Sequence, residues 1–120
     1  MVGWWRSPWL HFCLWIVLIF GLSSIPDLKP PMQGLPGVDK LYHAGEYAVL
    51  GVLWGRWRGG GLLRGALLGL VVGGIDEISQ ARVVGREPSL LDAGADVFGA
   101  ALGCFAWSLW TRWRRSSILS

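Results

Sequence analysis

Side chains that transfer protons or hold anions are concentrated in two short segments of an otherwise apolar chain. Residues 39–46 contain an aspartate, a lysine, a histidine and a glutamate, and residues 73–96 contain five acids, two arginines and a glutamine. Histidine beside a carboxylate is a candidate general acid or base, because imidazole exchanges a proton near neutral pH. Lysine and arginine hold phosphate or carboxylate groups. The two segments therefore contain the groups needed for acid–base chemistry on an anionic substrate.

Candidate roles follow from these residue types. The general acid or base would be His43, oriented by Asp39 or Glu46 on the same helix and paired with a carboxylate from the second segment. The candidate catalytic residues are therefore His43, Glu77 and Asp92. The candidate substrate-binding residues are Asp39, Lys40, Glu46, Gln80, Arg86 and Asp96.

A metal-ion site is the less favoured interpretation of the same groups. His43 with Glu77, Asp92 and Asp96 offers a mixed imidazole and carboxylate set for a divalent ion. The two segments contain only one histidine, however, and no HExxH, CxxC or paired-histidine spacing occurs. No Gly-x-Ser-x-Gly nucleophile motif or phosphate-binding loop is present either. We therefore predict no cofactor and no metal ligand, and leave a divalent metal as an open alternative.

The elements that position these groups are predicted to be membrane-spanning helices. Hydrophobic residues make up 52% of the 120 residues and charged residues 16%, against about 25% in ordinary globular chains. The mean hydropathy is +0.44. Because a helix needs about 20 mainly apolar residues to cross a bilayer, four apolar stretches give four spans. We predict an all-α fold, with residues 1–120 forming a single transmembrane domain, an integral membrane four-helix bundle with spans at about 7–25, 39–57, 61–80 and 89–110.

The charges indicate the orientation of this bundle. The N-terminus, the connection after the second span and the C-terminus carry seven basic residues and no acid, which is typical of cytoplasmic segments. Both termini are therefore predicted to be cytoplasmic, in a multi-pass protein of the inner (cytoplasmic) membrane, with the polar segments outside. The basic residues flank the spans instead of covering one soluble face, so nucleic-acid binding is not predicted.

Glycine spacing predicts how the helices pack. Gly61, Gly65, Gly69 and Gly73 recur every four residues in the third span, and small residues at that interval let two helices approach closely in lipid. The ionisable residues of the last three spans continue the glycine faces toward the outer side. These polar groups are therefore predicted to face one another across the bundle, because an unpaired charge in hydrocarbon is costly.

Two motifs resemble those of the VanZ-like membrane protein family. The segment DKLYHAGEYAVLG (Asp39–Gly51) resembles the family pattern D-K-x-x-H-x-x-x-Y-x-x-L-G. The segment DEISQARVVGREPSLLDAGADVFGAALG (Asp76–Gly103) resembles D-E-x-x-Q…G-R-x-x-S-x-x-D-x-x-x-N-x-x-G-x-x-x-G. The resemblance covers roughly Val38 to Gly103, and it departs at Asp96, where the family usually has asparagine.

The resemblance implies a four-helix integral membrane protein, and the family takes its name from a factor that raises resistance to the glycopeptide antibiotic teicoplanin. Three functions stay open. The chain is an enzyme acting on a lipid-linked or phosphorylated cell-envelope substrate, a non-catalytic module that binds such a head group or the antibiotic, or a structural or partner-binding bundle whose charges pair among themselves. Membrane lipids are the other expected partners, and the chain is expected to be a monomer.

Overall fold

The computed structural model describes residues 3, 6–24, 38–83 and 90–119, apart from the side chains of Asp39 and Leu119. Within these residues the chain forms four helices and no strand. The helices are α1 (Pro8–Ser23), α2 (Val38–Arg58), α3 (Leu62–Gln80) and α4 (Leu90–Leu119). The prediction of an all-α fold with four helices is confirmed.

Helix α4 is longer than the span predicted for it, since it continues from residue 110 to Leu119. Residues 111–119 contain no glycine or proline, so nothing in this stretch terminates the helix. Trp110 and Trp113 stack with ring centroids 5.3 Å apart, and the guanidinium of Arg114 lies 5.8 Å from the Trp110 ring. The apolar stretch indicates where a span ends, whereas helix breakers and side-chain pairs determine where the helix ends.

Among the described helices, one is both long and apolar enough to cross a membrane by length and composition. It covers Leu90–Ile118 and has a mean hydropathy of 1.3 in its most apolar part. Helix α1 is apolar but shorter. Charged side chains lie toward both ends of α2 and of α3 and make these two helices less apolar.

Helix α4 is the centre of the bundle. It packs against both α2 and α3, which contact each other little, and α1 packs mainly on α2. Glycines make the α2–α4 contact close, because a Cβ atom built on Gly99 or Gly103 would overlap the backbone of Ala44 or Ala48. On the other side, Gly51 of α2 faces the backbone of α4 in the same way.

The predicted glycine face of α3 packs against α4, with one exception. Gly65, Gly69 and Gly73 are buried against α4, but a Cβ atom added to Gly61 would meet no atom within 4 Å. Gly61 instead precedes the first turn of α3 with φ of 138°, a conformation that favours glycine. Its N–H donates to the carbonyl of Cys104 at 3.2 Å. Gly61 therefore allows the backbone conformation of the connection between α2 and α3, and it is not part of the close contact between α3 and α4.

Exchange of Gly69 for leucine is expected to destabilise the bundle by about 1–3 kcal/mol or more, the usual cost of overpacking. The physical reason is that a Cβ at this position would lie 2.7 Å from Cα of Val97 and 2.9 Å from the carbonyl oxygen of Asp96. Thermal unfolding in detergent measures the effect. The matched control is Gly74→Leu in the same helix, where a Cβ meets no atom within 4 Å. Equal stability of the two variants would contradict the packing of this face.

Helix α1 is attached to α2 through aromatic side chains. Phe12 lies with its ring centroid 5.3 Å from Trp54 and 5.5 Å from Trp57. Further along, Nε1 of Trp15 donates a hydrogen bond to the carbonyl of Glu46 at 2.9 Å. Buried indole N–H groups need such a partner, so this bond fixes the position of α1 along α2.

Candidate functional site

Polar side chains from three helices meet near one end of the bundle, the end at which α2 and α4 begin and α3 ends. We call this end the polar end and the group of side chains the polar cluster. At the opposite, basic end, Nη1 of Arg56 donates to Nδ1 of His11 at 2.9 Å. The polar cluster consists of Lys40, His43, Asp76, Glu77, Gln80, Asp92 and Asp96.

The imidazole of His43 lies between two carboxylates of α4. Its Nδ1 is 2.8 Å from Oδ1 of Asp96, and its Nε2 is 3.7 Å from Oδ2 of Asp92. The first distance is a hydrogen bond, whereas the second is too long for one. Asp96 is fully buried, so it holds the imidazole from the interior side. Nε2 is therefore the ring nitrogen placed for contact with a substrate.

Lys40 connects the polar cluster to the surface. Its Nζ lies 2.6 Å from Oδ1 of Asp92. Side-chain exposure falls from 34% for Lys40 to 18% for His43, 12% for Asp92 and 0% for Asp96. Among these four side chains, the cluster is thus most open at Lys40 and closed at Asp96, so a ligand would enter from the side of Lys40.

Helix α3 contributes carboxylates from the third side. One donor atom each of Glu77, His43 and Asp96 lies within 4.8 Å of the other two. Asp76 and Gln80 are both buried, and Nε2 of Gln80 donates to Oδ2 of Asp76 at 3.1 Å. This pair is four residues apart, so one helical turn places both side chains on the same face of α3.

Glycine determines how close α3 comes to the fully buried Asp96. A Cβ atom built on Gly73 would lie 3.0 Å from Oδ2 of Asp96 and 2.9 Å from its Cβ. The carboxylate of α4 therefore rests directly against the α3 backbone. Because Asp76 and Glu77 follow Gly73 by one helical turn, the same close contact brings them toward Asp96.

Two residues that the sequence analysis did not assign to the site belong to this region. Asp76 is 1% exposed and Tyr47 is fully buried. The Tyr47 hydroxyl lies within the electrostatic influence of Asp96 and Asp76, and it has no hydrogen-bond partner among the described residues. The sequence spacing indicated both residues, because side chains four residues apart lie on the same face of a helix. Tyr47 follows His43 by four residues, and Asp76 precedes Gln80 by four.

The nine predicted site residues divide into those the structure brings together and those it does not place in the cluster. Glu46 is half-buried on α2; its carboxylate acts electrostatically on His43, while its backbone carbonyl accepts the bond from Trp15. Asp39 lies in the first turn of α2, and its side chain falls outside the described residues, as does all of Arg86. The remaining six are in the polar cluster, namely Lys40, His43, Glu77, Gln80, Asp92 and Asp96.

The imidazole is oriented from another helix than expected. Asp39 and Glu46 were the predicted orienting residues, on the helix of His43 itself. Among the described side chains, the hydrogen-bond partner of Nδ1 is instead the carboxylate oxygen Oδ1 of Asp96 on α4, a residue predicted to bind substrate. A partner on a neighbouring helix fixes the ring relative to the whole bundle, because it ties α2 to α4.

Among the described residues, the polar cluster has more acidic than basic groups. Four carboxylates, those of Asp76, Glu77, Asp92 and Asp96, stand against Lys40 and His43. Burial makes such an excess unfavourable, because carboxylates in a medium of low dielectric repel one another strongly.

A separate apolar cavity of about 580 Å³ lies between α1, α2 and α3. It is lined by apolar side chains that include Phe12, Trp54 and Val72, and by Arg58 and Arg64. Nη1 of Arg64 donates to the carbonyl of Arg58 at 2.9 Å. The residues of the polar cluster do not line this cavity, so the two features are distinct.

Comparisons of the chain with known protein families, with curated proteins and with solved structures gave no match. The chemistry of the site is therefore argued from its geometry. A buried aspartate bonded to one nitrogen of an imidazole leaves the other nitrogen to accept or donate a proton, as in acid–base and nucleophilic catalysis. A lysine at the open side can hold an anionic group nearby.

Proposed function

We propose that this chain is a multi-pass membrane protein of the VanZ-like kind that binds a phosphorylated, lipid-linked envelope substrate at the polar cluster and transfers a proton through His43. The observation that carries the proposal is the pairing of buried Asp96 with Nδ1 of His43, which leaves Nε2 facing the open side of the site. The segments that resemble the VanZ-like family contain both positions, and Asp96 stands where the family usually has asparagine.

The distribution of apolar side chains supports a membrane location. Large apolar residues point outward on every helix, for example Val17 at 67%, Leu63 at 71% and Leu91 at 74% exposure. The interior holds glycine, alanine and the buried carboxylates, together with a few large side chains such as Tyr47 and Leu50. Contiguous exposed apolar surface is unfavourable in water, and intramembrane acids normally face the bundle interior. The arrangement is therefore the one expected for helices surrounded by lipid.

The substrate class follows from the open side of the site. Lys40 is the basic group at the entry, and Arg86 is expected near it from the sequence. Both bind phosphate well. A lipid-linked substrate would keep its chain in the bilayer and bring its phosphate to the polar end. The N-terminus, the connection between α2 and α3 and the C-terminus carry seven basic residues and no acid. This distribution favours a cytoplasmic position for these segments and therefore an outer position for the polar end.

Proton transfer would use the second nitrogen of the imidazole. With Nδ1–H donated to Asp96, Nε2 carries the lone pair and accepts a proton from a substrate hydroxyl or from water. The imidazolium that forms is stabilised by the carboxylates on both sides, Asp96 and Asp92. The deprotonated oxygen then forms a bond to the phosphorus of the substrate while the P–O bond to the lipid alcohol breaks. The imidazolium gives its proton to the oxygen of the departing alcohol, so the imidazole ends the cycle neutral. Asp96 orients the ring and does not itself take the proton.

Binding of a polyprenyl phosphate to the purified protein in detergent tests the substrate class. We expect native mass spectrometry to show retention of the phosphate, and much less of the corresponding polyprenol. Lys40→Gln should weaken binding, because it removes the charge at the entry. Arg82→Gln is the matched control, since Arg82 is an exposed basic residue just past the end of α3, at the same end of the bundle. Equal retention of phosphate and alcohol contradicts the proposal.

Turnover is tested with the same lipid. His43→Ala is expected to slow product formation by about 10²–10⁴-fold, the usual contribution of a general acid or base. Mass spectrometry of the lipid extract measures it. A binding module would retain the lipid without forming any product.

The structural alternative is supported by the pairs within the cluster, Lys40 with Asp92 and His43 with Asp96. It is favoured if neither binding nor turnover is detected and His43→Ala only lowers stability.

Orientation is tested by single-cysteine labelling in intact cells, in a background with Cys13 and Cys104 replaced. We expect a membrane-impermeant maleimide to label Ala81→Cys, just past the end of α3, and not Ser117→Cys near the end of α4. The reason is the seven-to-zero excess of basic residues on the side of the termini. The reverse labelling pattern would overturn the outward-facing position of the polar end.

A further inference from the structure

We infer that the apolar cavity between α1, α2 and α3 binds an anionic phospholipid, with one acyl chain inside the cavity and the phosphate held by Arg58 and Arg64. The cavity measures about 580 Å³. Ligand sites in proteins commonly measure about 300–1,000 Å³. The polar cluster lies elsewhere, so this site is additional to the proposed function. The inference rests on that proposal only for the location of the bundle in a membrane.

The lining of the cavity follows the helical period, so the cavity runs along the bundle. Positions i, i+3, i+4, i+7 and i+8 share one face of a helix. Helix α3 contributes five side chains with this spacing, namely Arg64, Leu67, Leu68, Val71 and Val72. Phe12 and Ile16 of α1 are one helical turn apart, as are Trp54 and Arg58 of α2. Each helix therefore contributes a line of side chains parallel to its axis.

The two arginines lie at one end of this cavity. Arg58 is the last residue of α2 and Arg64 lies in the first turn of α3, so both belong to the basic end. Arg64 and Val72 are eight residues apart on α3, which corresponds to about 12 Å of helix. One leaflet of hydrocarbon is about 15 Å deep. The length of the apolar lining therefore suits one acyl chain below a charged head group.

Charge complementarity identifies the head group as anionic. All eight acidic residues lie within residues 27–46 and 76–96, so residues 47–75 contain arginine and no acid. Nη1 of Arg64 donates to the carbonyl of Arg58 at 2.9 Å, which brings this guanidinium to the end of α2. That bond uses one of several guanidinium N–H donors, whose planar arrangement matches phosphate oxygens. Basic pockets between membrane helices on the cytoplasmic side bind anionic lipid head groups in this way.

A buried donor without a partner points independently to a ligand. Trp54 lines the cavity, and its Nε1 is buried with no hydrogen-bond partner among the described residues. Indole N–H groups normally have a partner when buried, as Trp15 has in the carbonyl of Glu46. Trp54 precedes Arg58 by one helical turn, about 5.4 Å toward the apolar part of the cavity. An ester oxygen of the lipid, just below its phosphate, is placed to accept this hydrogen bond.

The cavity is open toward the outside of the bundle. Leu67 and Val71 line it and are exposed, whereas Phe12 and Val72 are buried. Helix α1 packs mainly on α2 and contacts α3 little, which leaves the opening between α1 and α3. A phospholipid of the surrounding bilayer can therefore enter sideways, with its head group at the basic end.

Native mass spectrometry of the full chain in neutral detergent tests the ligand class. The lipids are phosphatidylglycerol and phosphatidylcholine with identical acyl chains. We expect tighter binding of phosphatidylglycerol, and an affinity about 5-fold lower in Arg58→Gln, the contribution of one basic residue near a membrane surface. Arg112→Gln is the matched control, because Arg112 is an exposed arginine of α4 at the basic end that does not line the cavity. Equal affinity for the two lipids overturns the inference.

Filling the cavity tests the position of the acyl chain. Leu67→Trp is expected to lower the affinity for phosphatidylglycerol by about 10-fold or more, the effect of excluding two buried methylene groups. Leu70→Trp is the matched control, since Leu70 is exposed on the same helix and does not line the cavity. Unchanged affinity in Leu67→Trp, or an equal loss in both variants, contradicts a chain inside the cavity. Arg58→Gln alters an exposed side chain and remains informative if Leu67→Trp does not fold.

The two proposals fail separately. Lys40 lies at the opposite end of the bundle, so Lys40→Gln should leave the affinity for phosphatidylglycerol unchanged. If the chain binds phosphatidylglycerol through Arg58 but retains no polyprenyl phosphate, the proposed substrate is wrong and the phospholipid site stands. If it retains polyprenyl phosphate through Lys40 and does not prefer phosphatidylglycerol, the phospholipid site is wrong and the proposed substrate stands.

Discussion

Exchange of Asp96 for alanine is expected to remove the function of the polar cluster and to lower the free energy of unfolding by about 3–5 kcal/mol, the range for breaking a buried charged pair. The Asp96 side chain is fully buried, and its Oδ1 accepts the hydrogen bond that fixes His43. Without it the imidazole loses its orienting partner, and α2 loses a direct link to α4. Thermal or denaturant unfolding in detergent, together with lipid turnover, measures both effects.

Asp96→Asn separates the charge from the hydrogen bond. Asparagine keeps an acceptor oxygen of similar shape, and it is the residue that the VanZ-like pattern usually has at this position. We expect this variant to fold with a much smaller loss of stability than Asp96→Ala. Glu46→Ala is the control for removal of an acid near His43 that is not bonded to the ring.

Stabilisation by Asp96→Ala would contradict the pairing argument. It would mean that repulsion among the four carboxylates of the polar cluster outweighs the attraction between Asp96 and His43. In that case the acid excess, and not the bonded pair, would dominate the energetics of the site. The comparison of the alanine and asparagine variants thus decides which of the two electrostatic effects is larger.

The convergence of the polar groups was predictable because helical periodicity is fixed. His43, Tyr47 and Gly51 share a face of α2, and Asp92 and Asp96 share a face of α4, so each pattern indicated which face turns inward. The structure brings these faces together. The spacing of residues along one helix is enough to predict its inward face, because this face does not depend on the position of the other helices.

Pairing between helices was not predictable in the same way. The sequence offered Asp39 and Glu46 as partners for His43, whereas the bonded carboxylate is Asp96 of another helix. Which residue faces which depends on the relative shift of α2 and α4. That shift is set by where Gly99 meets Ala44, which no single-helix pattern specifies.

The length of α4 and the burial of Asp76 were also not predictable from local sequence patterns. The fourth span was predicted to end at about residue 110, where the apolar stretch ends, and helix α4 continues beyond it to Leu119. Asp76 was recognised as part of a polar stripe and not as a site residue, although it is more buried than Asp92. Burial depends on contacts across the bundle, so composition alone could not rank these acids.

Exchange of Gly103 for leucine is expected to separate α2 from α4 and to cost more than about 3 kcal/mol, above the usual range for overpacking. A Cβ at this position would overlap the carbonyl oxygen of Ala48 and lie 2.9 Å from its Cα. Backbone atoms cannot rotate away as a flexible side chain can, so the helices must move apart. Gly94→Leu is the control on the same helix, since a Cβ there meets no atom within 4 Å.

The consequence should extend to the polar cluster, because the same contact holds α2 and α4 together. His43 and Lys40 belong to α2, and their partners Asp96 and Asp92 belong to α4. Gly103→Leu is therefore expected to lower the thermal unfolding midpoint in detergent and to weaken lipid binding, although Gly103 lies two helical turns from Asp96. A variant with lowered stability and unchanged binding would show that the His43–Asp96 pair does not depend on this helix contact.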